Sequence, residues 1–173
     1  MLNSLQTLYD AGLSKNALVQ LVKDLSRTVD PCLYRDFVLY AWLLESEFLE
    51  PRDVQDNYSD TDYCVGCREY AVLNECDANI AAADAISSGL WAIEAGWLAT
   101  ACDLPAEVFQ VLQEKFEDGN DAVYRIVDAV VGIDKIVERY LRDFGRAELL
   151  AHYDGKEHVV EYGELIFYIY RTG

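Results

Sequence analysis

Positive charge is what this sequence has least of. Its 173 residues carry 31 Asp and Glu against 14 Lys and Arg, a formal net charge of −17. Nucleic acids and anionic membranes present negative charge of their own, so the shortage argues against direct binding to either. Histidine is nearly absent, with His152 and His158 the only two, both beside the turn "YDGKE" and read as surface residues. There is no Gly-rich phosphate loop, no GxSxG and no HExxH, and abundant carboxylates make any one acid pair uninformative. No catalytic residue and no cofactor are expected, and the chain is read as a non-enzyme.

Long apolar runs are missing too. The most apolar stretch, "ANIAAADAISSGLWAIEAGWLATAC" (78–102), is interrupted by Asp84 and Glu94, bracketed by Asp77 and Asp103, and has no flanking Lys or Arg. It predicts a buried helix, with Trp91 and Trp97 in the core, rather than a membrane span. "MLNSLQTLYDAG" has no basic start, apolar run or small-residue cleavage site, so no targeting segment is expected and the cytoplasm is the expected compartment. Five cysteines, an odd number, suit reduced thiols there.

The sharpest chemical motif is "CVGC", Cys64 to Cys67. Two thiolates so spaced can bite one zinc ion, with Cys76 as a third ligand and Cys102 or Cys32 as a fourth. A zinc ribbon or knuckle shows a second close pair, which this chain lacks. A redox pair would open a helix after a strand, and no strand is expected here; two small apolar thiols packing under a loop is the plainer expectation. "DNYSDTDYC" fails the calcium-loop test: counting from Asp56 or Asp60, the sixth position is not Gly and the twelfth is not Glu. No metal site is therefore assigned.

What is there is acid, unevenly placed. Residues 1–44 are net 0, residues 45–121 are net −15 and residues 122–173 are net −2. Within the middle, "ESEFLEPRDVQDNYSDTD" (45–62) holds seven carboxylates and one Arg, and "DLPAEVFQVLQEKFEDGND" (103–121) holds six and one Lys. Solubility alone needs no such concentration, although a solvated acidic surface is the bland reading. Acids at 45, 47, 50, 53, 56, 60 and 62 recur every two to four residues. That gives a dense row in an extended or a helical segment, suited to a groove built for phosphates. Tyr58 and Tyr63 lie among them; tyrosine beside a carboxylate can stack on an Arg that the acid pairs with, or can instead pin the segment to the core. The candidate partner-binding residues are Glu45, Glu47, Glu50, Asp53, Asp56, Tyr58, Asp60, Asp62, Tyr63, Glu114, Glu117, Asp118 and Asp121, and the partner they suit is a basic, nucleic-acid-binding protein.

The local pattern predicts mainly α structure with a C-terminal β-hairpin (α+β). It is read as a single compact domain over 1–173, with a helical body over 1–144, the acidic region at 45–121 and the hairpin segment at 145–173. A short helix ends at Gly12, and Ser14 caps the next, with Leu18, Leu21, Val22 and Leu25 on one face. Asp30-Pro31 opens a third, with Leu33, Phe37, Tyr40, Ala41, Leu44 and Phe48 at helical spacing before Pro51. Residues 51–66 read as loop and 69–101 as helix with a bend near Ser87-Ser88-Gly89. Pro105 opens a helix with Val108, Leu112 and Phe116 inward. Residues 121–144 read as one amphipathic helix with Val123, Val127, Val130, Val137, Leu141 and Phe144 on its apolar face, stopped by Gly145. "EHVVEYGELIFYIYR" is β-branched and aromatic, and Gly163-Glu164 suits a two-residue turn.

This composition resembles that of the small acidic DNA-mimic proteins that phages and plasmids use against restriction or CRISPR systems. The tail "GRAELLAHYDGKEHVVEYGELIFYIYRTG" (145–173) resembles the ends of small proteins of phages and mobile elements. The resemblance implies an anti-restriction or anti-CRISPR inhibitor acting in the host cytoplasm on the nucleic-acid-binding groove of a defence protein. It transfers no family site. Two other classes fit the same sequence: a structural or assembly module dimerising through the alanine-rich helix, and an immunity-type protein neutralising a basic nuclease toxin.

Overall fold

A computed structural model describes residues 7–8, 10–25, 35–46, 54–56, 61–114, 119–162 and 165–173. The protein is mainly helical with one antiparallel sheet, an α+β fold. The elements run α1 (Lys15–Leu25), α2 (Arg35–Ser46), β1 (Val54–Asp56), β2 (Asp62–Val65), β3 (Arg68–Leu73), α3 (Glu75–Gly89), a 3₁₀ turn (Leu90–Ala92), α4 (Ala95–Cys102), α5 (Ala106–Glu114), α6 (Gly119–Val130), α7 (Ile133–Phe144), α8 (Ala147–Leu150), β4 (Glu157–Tyr162) and β5 (Leu165–Arg171). Contacts divide the chain into two compact units, Met1–Ala78 with Leu150–Gly173, and Asn79–Leu149. Among the described residues no helix is long and apolar enough to cross a membrane.

The first unit holds the sheet, ordered β1-β2-β3-β5-β4. The C-terminal hairpin is present: Tyr162 pairs with Leu165, which leaves two residues between the strands. Pairs Tyr63–Tyr70, Val72–Ile169 and Val160–Phe167 lie on one face of the sheet, as the period of two requires. That face buries against Leu18 and Val19 of α1 and Val38, Leu39, Leu43 and Leu44 of α2. The Ser14 hydroxyl accepts the Ala17 N–H at 3.2 Å, the expected cap of α1. Asp30, Pro31, Leu33, Phe48 and Pro51 lie outside the described residues.

Two expectations fail in this unit. Residues 54–56 and 62–65 are strands rather than loop, and residues 68–73 are strand rather than the start of a helix. The turn between them is Gly66-Cys67, since Val65 pairs with Arg68. Gly66 sits at φ +63, and Cys67 has no positive φ. That is the pattern of a two-residue hairpin turn with glycine first. The helix begins later, where the Asn74 side chain accepts the Asp77 N–H at 2.9 Å and Glu75 and Asp77 occupy the first turn.

The second unit is all helical. Its core is Ile86, Leu90, Leu98, Ala99, Cys102, Phe109, Val123, Val127 and Ile136. The expected bend near residues 87–89 is the end of α3 and the start of the 3₁₀ turn. That turn breaks the helical phase, so Leu90 is buried while Trp91 is 49% exposed, against the expectation of a core tryptophan. The expected single helix over 121–144 is two helices. Val131 and Gly132 N–H groups both reach the Val127 carbonyl, and Gly132 takes φ +91. A side chain there would be strained, so glycine ends α6 and opens α7. The break resets the apolar face: Val123, Val127 and Ile136 are buried, whereas Val130 and Phe144 are about half exposed. On α5 the one buried side chain is Phe109, one position on from the expected Val108.

Candidate acidic surface

The candidate acids divide between the units. Glu45 lies near the end of α2, exposed, 3.5 Å from Lys23 Nζ. Asp56 ends β1, an edge strand, opposite Tyr63. Asp62 opens β2 opposite Ala71 and is exposed. Glu114 ends α5, exposed; Asp121 sits in the first turn of α6, exposed, with Oδ2 4.0 Å from Arg125. Glu47, Glu50, Asp53, Tyr58, Asp60, Glu117 and Asp118 lie outside the described residues.

Tyr63 is 7% exposed and belongs to the core of the first unit, as is Tyr70 at 1%. Of the two readings of these rings, the placement matches the one in which they anchor the segment. His158 is half-buried, its ring 4.8 Å from that of Trp42, and its Nε2 is 3.7 Å from Asp154; His152 is exposed.

The helical unit exposes further carboxylates besides the candidates named from the sequence. Asp84 on α3, Asp103 just after α4, and Glu107 on α5 are exposed, and so is Glu114. None of the four forms an ion pair among the described residues. The signal was present in the chain: from Arg68 to Arg125 the one intervening cation is Lys115. The other cations of this unit fall later, on α6, on α7 and at Arg146, and several are engaged. Arg139 and Arg142 reach Asp143 at 4.0 and 3.3 Å, and Arg139 also donates to the Thr100 and Ala101 carbonyls at the end of α4. Helices α6 and α7 thus mix acids with bases, whereas the stretch before them is nearly all acid.

The cysteines are placed as follows. Cys64 is on β2 and Cys67 in the hairpin turn, so the pair straddles a tight turn rather than opening a helix. Cys76 is exposed in the first turn of α3, and Cys102 is 3% exposed in the core of the helical unit. Among the described residues no group of three or more His, Cys, Asp or Glu is arranged to hold a metal ion. Burial pushes the Cys102 thiol above its ordinary pKa, and Arg139 offsets this only in part. The folded state therefore favours the neutral thiol. Its contribution to stability is complete below the unfolded thiol pKa and declines as pH rises through the folded one. At pH 8 iodoacetamide is expected to alkylate Cys67 and Cys76 in the native protein, and Cys102 only on unfolding. Peptide mapping by mass spectrometry checks this, and native labelling of Cys102 at the rate of Cys67 would contradict it.

Comparison with protein-family models, with curated proteins and with solved structures finds no match.

Proposed function

We propose that this protein works by binding, not catalysis: its acidic surface occupies the basic nucleic-acid-binding groove of a defence protein, of the restriction or CRISPR kind, in the host cytoplasm. One observation carries the reading. Asp84, Asp103, Glu107 and Glu114 are exposed and have no ion-pair partner among the described residues, in a stretch nearly devoid of cations. A carboxylate surface left uncompensated opposes folding by self-repulsion, and a cationic groove relieves that repulsion on binding. Such a complex associates fast by electrostatic steering, weakens with salt and excludes DNA from the same groove.

The alternative of an assembly module has less to draw on, since Ala78 and Ala82 of the alanine-rich helix are already fully buried within the chain. An immunity-type protein facing a basic nuclease would use the same surface and differs only in the partner's identity.

The test is affinity capture from a host lysate at low salt, eluted by a salt gradient and, separately, by duplex DNA. A nucleic-acid-binding defence protein displaced by both is the expected result. Reversing Asp84, Glu107 and Glu114 to Lys is expected to weaken its binding about 100-fold or more while leaving the thermal melt in place. Unchanged binding of that variant at physiological salt would overturn the surface, and a partner indifferent to DNA would overturn the mimicry.

A further inference from the structure

The helical unit carries a cleft of about 380 Å³ whose walls include Trp97, Tyr140, Phe144, Glu94 and Glu148. Its size lies at the small end of the range of ligand pockets, about 300–1,000 Å³. The sequence builds it simply. Tyr140 and Phe144 are four residues apart on α7 and so share a face, and Glu148 follows four residues later on α8. Trp97 comes from α4, three residues after its cap Glu94. The three rings pack on one another into one aromatic wall: Trp97 to Tyr140 5.2 Å at 79°, Trp97 to Phe144 5.8 Å at 57°, and Tyr140 to Phe144 4.7 Å at 43°. The Trp97 Nε1 donates to Asp143 Oδ2 at 3.2 Å, which fixes the indole.

The charges of the cleft are one-signed. Glu94 accepts the Gly96 and Trp97 N–H groups at 2.9 and 2.7 Å and has lone pairs to spare. Glu148 has no ion-pair partner among the described residues. Burial, and next the Glu148 carboxylate, raise the Tyr140 phenol above its ordinary pKa, so the acid stands within electrostatic reach of the ring. None of the unit's own cations lines the cleft. Arg139 and Arg142 are held by Asp143, and Arg146 donates to Asn79. An anion would meet two carboxylates. A neutral apolar guest would strip water from Glu148 and return nothing.

We propose that this cleft is a binding site for an organic cation, an alkylammonium or guanidinium head seated against the wall that Trp97, Tyr140 and Phe144 form together and neutralised by Glu148 and Glu94. Aromatic walls attract such heads through their quadrupoles, and the nearby acids supply the charge. The site does not depend on the acidic-surface reading, because a small cation suffices to fill it.

The test is a titration of the full chain followed by the indole N–H signal of Trp97 in ¹H–¹⁵N spectra, assigned with Trp97→Phe. The probes are tetramethylammonium chloride, spermidine, N-acetyl-arginine amide and N-acetyl-lysine amide, against sodium chloride at equal ionic strength. Saturable shifts with at least one organic cation, absent with sodium, are expected. Glu148→Gln is expected to weaken that binding about fivefold or more, and Phe144→Leu about threefold. Glu148 is exposed, so Glu148→Gln should melt as the parent does, and Phe144→Leu, which gives up two ring contacts, is titrated well below its own melt. Preference for the amino-acid amides identifies the guest as a basic side chain of a protein; preference for tetramethylammonium or spermidine identifies a free amine. Shifts no different from those with sodium, or titrations unaltered in both variants, would overturn the site.

Discussion

Asp77→Ala is expected to destabilise the sheet-bearing unit by about 3 kcal/mol, the low end for breaking a buried ion pair. Arg35 of α2 is 7% exposed, the one buried charged side chain among the described residues. Its guanidinium is ion-paired with the Asp77 carboxylate. Among the described residues its Nε is buried without a hydrogen-bond partner, and Asp77 is its one ion-pair partner. Asp77 lies in the first turn of α3, where the macrodipole favours an acid. Removing the acid strands the guanidinium away from water without its partner. Asp77 is itself 35% exposed, so solvent reaches the site and the cost stays below that of a fully buried pair. Urea denaturation read by Trp42 fluorescence, with Trp91 and Trp97 replaced by Phe, reports the right unit, since Trp42 packs against its core. The double variant Arg35→Met, Asp77→Ala is expected to recover most of the loss. A double variant no more stable than Asp77→Ala would mean that the pair holds the elements in place by geometry and not by charge.

The Arg35–Asp77 pair also shows what the chain could and could not disclose. The residues are 42 positions apart, and neither carries a local signal of the other. The elements with punctuation of their own were legible: Ser14 capping α1, Gly145 ending α7, and the β-branched run that forms β4 and β5. Strand β3 was hidden because "REYAVL" runs straight into an alanine-rich helix with no Gly or Pro between, and a short apolar run fits either period. Asn74, followed by Glu75 and Asp77, was the boundary mark. Gly66, flanked by alternating apolar residues, was the turn mark. Gly132 was a lone glycine inside a strong helical pattern, where tolerance is as common as a break. The acidic bias was legible at once, because charge needs no fold to be counted. The aromatic cleft was not, since Trp97 meets Tyr140 and Phe144 only after two helices have packed.

Phe109→Ala is expected to cost the helical unit about 4 kcal/mol, within the usual range for a fully buried Phe. Phe109 is 0% exposed and is the one buried residue of α5. Truncating it removes the main apolar anchor of that helix and opens a cavity among Leu98, Val123 and their neighbours, which close packing fills only in part. Val111→Ala, at a position 48% exposed on the same helix, is the control and should cost less than about 1 kcal/mol. Denaturation followed by Trp97 fluorescence, with Trp42 and Trp91 replaced by Phe, measures both. Equal costs would mean that α5 is held by its partly buried residues, such as Leu112, rather than by Phe109. The same pair of variants bears on function. Glu107 and Glu114 stand on α5 and Asp103 just before it, so this helix presents much of the uncompensated charge. In conditions where the Phe109→Ala chain remains folded, partner binding should match the parent, because no carboxylate has been changed. Where it unfolds, binding should fall with the folded fraction. Binding that survives complete unfolding would show that net charge alone attracts the partner, and that the placement of the acids on the helices contributes nothing.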